Sequence, residues 1–271
     1  MESENVHRTL AAALGVGGPQ LVAFVGAGGK TTALQRLGVE LAVGGSSVVA
    51  TTTTAMFAYQ LASLGPLVVA DDDLAGAYAR CRDALLHASP VALAKSMGPE
   101  EKVGGLAPRE VDHLWSQRLA TSILVEADGS RGLPLKAFGA AEPQPSQGST
   151  VIVVVAGLDV LGQPLDAAHV HRAELLDPVL HTAMGVAVTP QTLAAVLSLQ
   201  VDRVRDLVPH ARIVVLLNKA DTDARASSGD RTASHLLASV RERGRPHETA
   251  ASLDRVVVGS LWHGVYRVVQ P

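Results

Sequence analysis

The chain has 271 residues, of which 47% are hydrophobic and 18% charged, and its formal net charge is −3. This composition is typical of a globular protein and excludes a disordered chain, because disorder requires low hydrophobicity and high charge. Since no net positive charge is present to attract a polyanion, we expect no nucleic-acid partner. No apolar run approaches the roughly 20 residues of a membrane helix, and the N-terminal segment lacks the pattern of a signal peptide. We therefore expect a cytoplasmic protein without a membrane partner.

Short apolar runs alternate with segments of helical periodicity along the chain. Seven of these runs are continuously apolar, which predicts strands that are buried on both faces of a mainly parallel sheet. The predicted strands are 21–25, 47–50, 67–70, 122–125, 151–156, 213–217 and 255–258, and the predicted helices are 31–43, 74–87, 108–120, 172–184, 190–201 and 232–243. This alternation predicts a doubly wound α/β fold in a single domain over residues 1–271. Polar, glycine-rich and proline-rich composition predicts loop insertions at about 96–106, 139–150 and 222–231.

A glycine-rich loop joins the predicted strand 21–25 to the helix that follows it. The loop reads Gly26, Ala27, Gly28, Gly29, Lys30, Thr31, Thr32. Glycines allow backbone N–H groups to approach phosphate oxygens, and the helix N-terminus adds partial positive charge. We expect Lys30 to lie partly exposed and to reach the β- and γ-phosphates of ATP or GTP, while the Thr31 hydroxyl ligates Mg²⁺. The pattern predicts a P-loop NTPase-like fold, and the alternative is a glycine-rich turn with an incidental lysine.

Two carboxylates directly follow the predicted strand 122–125. Glu126 and Asp128 are therefore expected at the C-terminal edge of the sheet, where open α/β folds bind ligands. We predict that Asp128 binds Mg²⁺ directly or through water, and that Glu126 orients a water molecule or acts as a base. Arg131 is predicted to bind an anionic group, so the catalytic candidates are Lys30, Glu126, Asp128 and Arg131. The alternative is an Asp-Gly turn with exposed charges.

A candidate base-recognition motif follows the predicted strand 213–217. It consists of Asn218, Lys219 and Asp221 in the pattern N-K-x-D. An aspartate accepts hydrogen bonds from the N1–H and the exocyclic amine of guanine, a donor pair that adenine lacks, and the lysine stem covers a face of the base. The motif favours GTP, and ATP remains the alternative because a four-residue match also occurs by chance.

Seven segments, taken in this order, resemble the YqeC family, the accessory proteins of selenium-dependent hydroxylases. They are FVGAGGKTT (24–32), ATTTT (50–54), KVGGL (102–106), LVEADGSRGLPLKAF (124–138), VVVAGLDVLGQPL (153–165), HVHRAELL (169–176) and LLNKAD (216–221). The resemblance implies a P-loop protein that serves the maturation of selenium-containing molybdenum hydroxylases. It also implies substrate contacts by Arg131, Lys136 and Arg172, and a partner that is a molybdenum hydroxylase or its cofactor-loading machinery.

Three functions remain open on these observations. The first is a Mg²⁺-dependent nucleoside triphosphatase or phosphotransferase that acts in cofactor maturation. The second is a nucleotide-gated switch or chaperone that barely hydrolyses its ligand and works by binding a client enzyme. The third is an anion-binding module that uses the same loop for sulfate-like ligands.

Overall fold

The computed structural model describes residues 6–176, 180, 183–242 and 253–270. Its strands are β1 (Val6–His7), β2 (Gln20–Gly26), β3 (Val48–Thr52), β4 (Met56–Phe57), β5 (Leu67–Val69), β6 (Val91–Ala94), β7 (Ser96–Met97), β8 (Lys102–Gly104), β9 (Ser122–Glu126), β10 (Leu135–Lys136), β11 (Val151–Gly157), β12 (Val170–His171), β13 (Arg212–Asn218), β14 (Leu253–Ser260) and β15 (Val265–Val269). Its α-helices are α1 (Leu10–Leu14), α2 (Lys30–Val43), α3 (Ala58–Ala62), α4 (Leu74–Leu85), α5 (Pro108–Ser116), α6 (Pro190–Leu207) and α7 (Asp223–Glu242).

A ten-stranded sheet forms the centre of the molecule, in the order β1-β15-β14-β13-β11-β2-β9-β3-β6-β5. Every pairing from β14 to β5 is parallel, whereas β15 and β1 pair antiparallel at one edge. Two small sheets, β4-β8-β7 and β10-β12, lie outside it. None of the helices in the described ranges is long and apolar enough to cross a membrane.

Helices cover both faces of the large sheet. Alternate residues of β2 belong to two separate buried clusters, Leu21, Ala23 and Val25 to one and Val22 and Phe24 to the other. The first cluster includes residues of α4, α5, α6 and α7, and the second includes residues of α1, α2 and α3. A strand that is covered on both faces reads as a continuous apolar run. The predicted doubly wound, mainly parallel α/β fold is therefore confirmed.

The strand order places a crevice at the end of β2. The chain leaves β2 through α2 toward β3 on one side, and leaves the neighbouring β11 toward β13 on the other. Such a switch point opens a crevice beyond the C-terminal ends of the parallel strands, where ligands bind in folds of this kind. The glycine loop lies at this crevice, as do the ends of β9, β11 and β13.

All seven predicted strands are present, but some of the predicted loops and helices differ from the structure. The predicted loop 222–231 is wrong, because α7 begins at Asp223. The buried contact of this half of α7 with β14 is made by a glycine, which has no apolar side chain to mark a helix in the sequence: a Cβ on Gly229 would lie 2.7 Å from Val258 Cγ1. Of the predicted helix 172–184, the structure shows a 3₁₀ turn at Ala173–Leu175 and a helical residue at Leu180, whose N–H donates to the Leu176 carbonyl at 2.8 Å, and 177–179 and 181–182 lie outside the described residues.

The other two predicted loops differ from each other. Segment 96–106 contains β7 and β8, which pair antiparallel and extend to β4. Segment 139–150 contains no helix or strand. The sequence reading missed β6, because Val91–Ala94 is short and half alanine, which gives a weak strand pattern.

Candidate functional site

The glycine loop turns sharply between β2 and α2. Gly26, Gly28 and Gly29 have φ angles of 93°, 78° and 132°, a region that favours glycine. Gly28 also lies directly against two other backbone segments of the protein, since a Cβ there would come within 2.1 Å of the Gly157 nitrogen and 2.7 Å of the Pro134 carbonyl oxygen. The loop therefore requires glycine both for its backbone conformation and for its contact with the end of β11.

Replacing Gly28 by alanine should destabilise the protein by at least roughly 3 kcal/mol, because it adds a backbone clash to an unfavourable φ. Gly18→Ala is the matched control, since Gly18 has a φ of 72° but open space around its Cβ position. The control should lose only about 1–2 kcal/mol. Chemical denaturation of both variants measures the difference, and equal losses would contradict the close packing of Gly28 on Gly157.

The N–H groups of the loop fall into two sets. Those of Gly26, Ala27 and Gly28 donate to the Asp128 carboxylate (3.0 Å), the Val155 carbonyl (2.9 Å) and the Leu133 carbonyl (3.0 Å). These three N–H groups donate to acceptors of the protein, so they are not free for the predicted contacts with phosphate. Helix α2 begins at Lys30 with Gly29 as its N-cap residue, and the first N–H groups of a helix have no intrahelical acceptor. The N–H groups of residues 29–32 are therefore the ones that can bind an anion.

Glu126 and Asp128 reach the loop by different routes. Glu126 ends β9, between β2 and β3, and its carboxylate accepts a hydrogen bond from the Thr31 hydroxyl at 2.7 Å. Asp128 lies two residues beyond the strand and accepts from the Gly26 N–H, as described above. The structure thus brings both carboxylates to the loop, with Glu126 on the Thr31 side and Asp128 beneath Gly26.

Lys30 lies between these two carboxylates. Its ammonium nitrogen is 3.3 Å from Asp128 Oδ1 and 3.8 Å from Glu126 Oε1, and it donates to the Gly26 carbonyl at 2.8 Å. The residue is only 3% exposed, so our expectation of a partly exposed Lys30 was wrong. The reason is electrostatic: two buried carboxylates supply the partners that allow an ammonium group to leave water.

Burial raises the pKa of the Glu126 carboxyl above its usual range, and the negative charge of Asp128 raises it further. The Lys30 charge and the Thr31 hydrogen bond act in the opposite direction without cancelling the effect of burial. Glu126 therefore takes up a proton at a higher pH than an exposed glutamate does.

A second lysine extends the cluster away from the loop. Lys136, on β10, is fully buried, and its ammonium group lies 3.1 Å from Asp128 Oδ2 and 2.7 Å from Glu142 Oε2. Glu142 in turn pairs with Arg172, whose backbone has a left-handed φ of 60°. An unbroken series of ion pairs therefore links Lys30 at the loop to Arg172, and these contacts hold the charges of the cluster in place.

The residues of the N-K-x-D motif take three different positions. Asn218 donates from its side-chain amide to the Gly28 carbonyl at 2.9 Å and accepts from the Leu261 N–H at 3.1 Å. Lys219 forms an ion pair with Asp159 at 2.6 Å. Asp221 accepts from the Ser260 hydroxyl at 2.6 Å and stays partly exposed. The motif therefore joins the glycine loop to the turn after β14, and it leaves Asp221 partly exposed at the rim of the crevice.

The structure does not bring every predicted residue into the cluster. Arg131 is exposed and has no hydrogen bond or ion pair with another described residue. Burial lowers the pKa of His171, and the positive charges of Lys136, Arg172 and Arg131 lower it further. Thr32 is exposed on the first turn of α2. Within the described ranges there is no group of three or more histidine, cysteine, aspartate or glutamate side chains that could hold a metal ion by itself.

Residues 22–174 match a family model described as YqeC protein. This range covers more than half of the chain and contains the glycine loop, both carboxylates, Lys136 and Arg172. The chain belongs to the YqeC family. The base-recognition motif lies beyond the matched range, so the family match gives no support to the predicted roles of Asn218, Lys219 and Asp221.

Two similar proteins illustrate how far the likeness reaches. The uncharacterized protein YqeC of Escherichia coli (strain K12) is 36% identical over 161 residues, which are 57% of this chain and 58% of that protein. The chain therefore spans less than two thirds of the length of this relative. A GTPase from Pyrococcus abyssi, solved in its apo form, aligns over 90% of this chain and 91% of its own with 12% identity and a TM-score of 0.37. That likeness is too distant to bear on ligand or activity.

Sequence reasoning missed two carboxylates that complete the site. Asp159 follows the buried strand β11, so the strand-end pattern that identified Glu126 also applied to it. Glu142 had no such pattern, because it lies in the irregular segment 139–150 and meets Arg172 only through the fold. Lys136, in the apolar run LPLKAF, was a candidate site residue only because of the family resemblance.

Proposed function

We propose that this protein binds a Mg²⁺–nucleoside triphosphate at the crevice beside the glycine loop. The observation that carries the proposal is the contact between the Thr31 hydroxyl and Glu126 at the N-terminus of α2, next to the buried Lys30. A hydroxyl and a carboxylate are the hard oxygen donors that suit Mg²⁺. The N–H groups of residues 29–32 and the Lys30 ammonium group are cationic partners for the phosphates.

The geometry favours a different division of roles from the one first predicted. We propose that Glu126, rather than Asp128, faces the metal, because Glu126 is the carboxylate that contacts the Thr31 hydroxyl. Asp128 is held by the Gly26 N–H, Lys30 and Lys136, so its role is to position the loop and its lysine. Bound Mg²⁺ would neutralise part of the phosphate charge as it develops during hydrolysis or transfer.

We propose GTP as the preferred nucleotide. Asn218 ties the motif to the Gly28 carbonyl, and Ser260 orients the Asp221 carboxylate at the rim of the same crevice. Among the described residues, the second oxygen of this carboxylate, Oδ2, has only the Arg225 guanidinium beside it, at 3.8 Å. A carboxylate in this position can accept the paired donors of guanine, which adenine lacks.

The biological role that we propose is the one that the family resemblance implies. The protein would serve the maturation of selenium-dependent molybdenum hydroxylases, with such an enzyme or its cofactor-loading machinery as client. Arg131 is exposed, and Lys136 and Arg172 pair with Glu142 in the part of the cluster that extends away from the glycine loop. Nucleotide turnover measured with and without the client distinguishes an enzyme that is active alone from a nucleotide-gated switch.

Calorimetric titration with GTP and ATP, each with and without Mg²⁺, tests the proposal. Wild type should bind GTP more tightly with Mg²⁺, and Glu126→Gln should lose about 2 kcal/mol of binding, or roughly 30-fold, in the presence of the metal. Affinity of the wild type should also fall as the pH drops toward the raised pKa of Glu126, because metal binding needs the ionised carboxylate. In Glu126→Gln this pH dependence should be absent.

Glu101→Gln, at an exposed glutamate between β7 and β8, is the control and should bind like the wild type. Wild-type binding that ignores Mg²⁺, or a Glu126→Gln variant that keeps full Mg²⁺ dependence, would show that Glu126 does not serve the metal.

A further inference from the structure

A cleft of about 470 Å³ lies beside the segment that follows β10. Its walls are the segment 137–140, the end of the 3₁₀ turn at Leu175 and Leu176, and one face of α6. Val196, Leu199, Gln200 and Arg203 recur at helical spacing on that face. The volume lies within the range of about 300–1,000 Å³ that small-molecule sites occupy, and most of the lining side chains are apolar.

Arg203 is the one charged residue among the described residues that line this cleft. Arg203 donates to the carbonyl oxygens of Ala140 (2.9 Å) and Glu142 (3.3 Å), and no carboxylate of the described chain lies within 4 Å of its guanidinium group. The Arg172 guanidinium lies over Gly139, where a Cβ would come within 3.3 Å of it. The Glu142 carboxylate is shared by Lys136 and Arg172, so among the described residues the charge of Arg203 has no acidic partner.

A buried polar side chain, that of Gln200, also lines the cleft. Gln200 is 2% exposed and donates from its amide to the Lys136 carbonyl at 2.7 Å, but its Oε1 atom has no hydrogen-bond donor among the described residues. Buried polar atoms without a partner are uncommon and call for an explanation such as a ligand or an ordered water. Lys136 links the cleft to the ion-pair cluster, since its carbonyl accepts from Gln200 and its ammonium group pairs with Asp128.

We propose that this cleft is a binding site for a small amphipathic organic anion, with an apolar body against Phe138, Leu175 and Leu199 and its acidic group on Arg203. The apolar walls supply most of the binding energy through burial. Arg203 has no carboxylate within 4 Å in the described part of the chain, so it favours a ligand that carries a negative charge. This site goes beyond the proposed nucleotide function and does not require it.

A pair of matched dyes tests the proposal on the full chain. The probe is 1-anilinonaphthalene-8-sulfonate, and N-phenyl-1-naphthylamine is the same molecule without the sulfonate. Fluorescence and calorimetric titrations of the folded protein should show one saturable site for the sulfonate and weaker binding of the neutral dye. Arg203→Gln should weaken sulfonate binding roughly 10-fold and leave the neutral dye nearly unchanged. Equal affinity for the two dyes in the wild type would overturn the assignment to an anion.

Two neighbouring alanines locate the site. Ala140 is exposed and lines the cleft, so Ala140→Trp should fill it and reduce sulfonate binding at least roughly 10-fold without disturbing the core. Ala141→Trp places the same side chain one residue further on, outside the lining, and should bind like the wild type. Equal dye binding by both variants, at equal thermal stability, would show that the dye binds elsewhere. Nucleotide titration of Ala140→Trp keeps the two proposals apart, because its affinity for GTP should be unchanged whichever way the dye result falls.

Discussion

Replacing Lys30 by methionine should reduce triphosphate affinity by roughly 100-fold, or about 3 kcal/mol. Methionine keeps most of the volume of the buried stem and removes the charge, so the change reports on the ammonium group rather than on a cavity. Asp128 would keep its contacts with the Gly26 N–H and Lys136, and Glu126 would keep its contact with Thr31. We therefore expect a folded variant of lower stability, because two buried carboxylates lose a shared cation.

Calorimetric titration with GTP and Mg²⁺ measures this loss, and circular dichroism at the titration temperature verifies that the variant is folded. Lys102→Met is the control, since Lys102 pairs with the exposed Glu100 on the connection between β7 and β8. It should bind nucleotide like the wild type. If folded Lys30→Met binds the nucleotide as tightly as the wild type, the Lys30 ammonium group does not contribute to phosphate binding and the proposed site is wrong on this point.

Changing Asp221 to asparagine should reverse the preference between guanine and xanthine nucleotides. The carboxylate of Asp221 can accept from two guanine donors, whereas an amide presents one acceptor and one donor, which suits the C2 carbonyl of xanthine. A site built to pair with a polar group discriminates by several kcal/mol. We expect a loss of at least roughly 100-fold for GTP together with a gain for xanthosine triphosphate.

Competition binding with GTP, ATP and xanthosine triphosphate measures the change. Asp223→Asn, at the exposed start of α7, is the matched control and should leave all three affinities as they are. If the wild type binds ATP and GTP alike, the motif serves only to connect the glycine loop, through Asn218, to the turn after β14.

Features that depend on neighbours along the chain were predictable. The glycine loop, the helix that directly follows it and the carboxylates at and just beyond the end of β9 all follow from short segments whose residue types determine their local conformation. The alternation of buried strands and amphipathic helices likewise predicted the doubly wound fold. The polar half of α7 was not predictable in this way, because its helix packs on β14 through Gly229, a residue that reads as a loop former in isolation.

Contacts between distant segments had no comparable pattern. Glu142 and Arg172 are thirty residues apart and meet only because the pairing of β10 with β12 brings their segments together. The burial of Lys30 likewise depends on carboxylates that lie about a hundred residues further along the chain. A single sequence shows that charges are present but not which of them become partners in a region of low dielectric.

The sequence by itself determined the fold class, the position of the glycine loop and the presence of acidic groups at the same edge of the sheet. Only the tertiary structure decided that Glu126 meets the Thr31 hydroxyl while Asp128 lies beneath Gly26. Residues two apart in a strand point to the same side, so spacing alone cannot separate the roles of these carboxylates. The separation arises because β9 lies between β2 and β3 and ends at Glu126, and the turn that follows carries Asp128 to the other side of the Lys30 ammonium group.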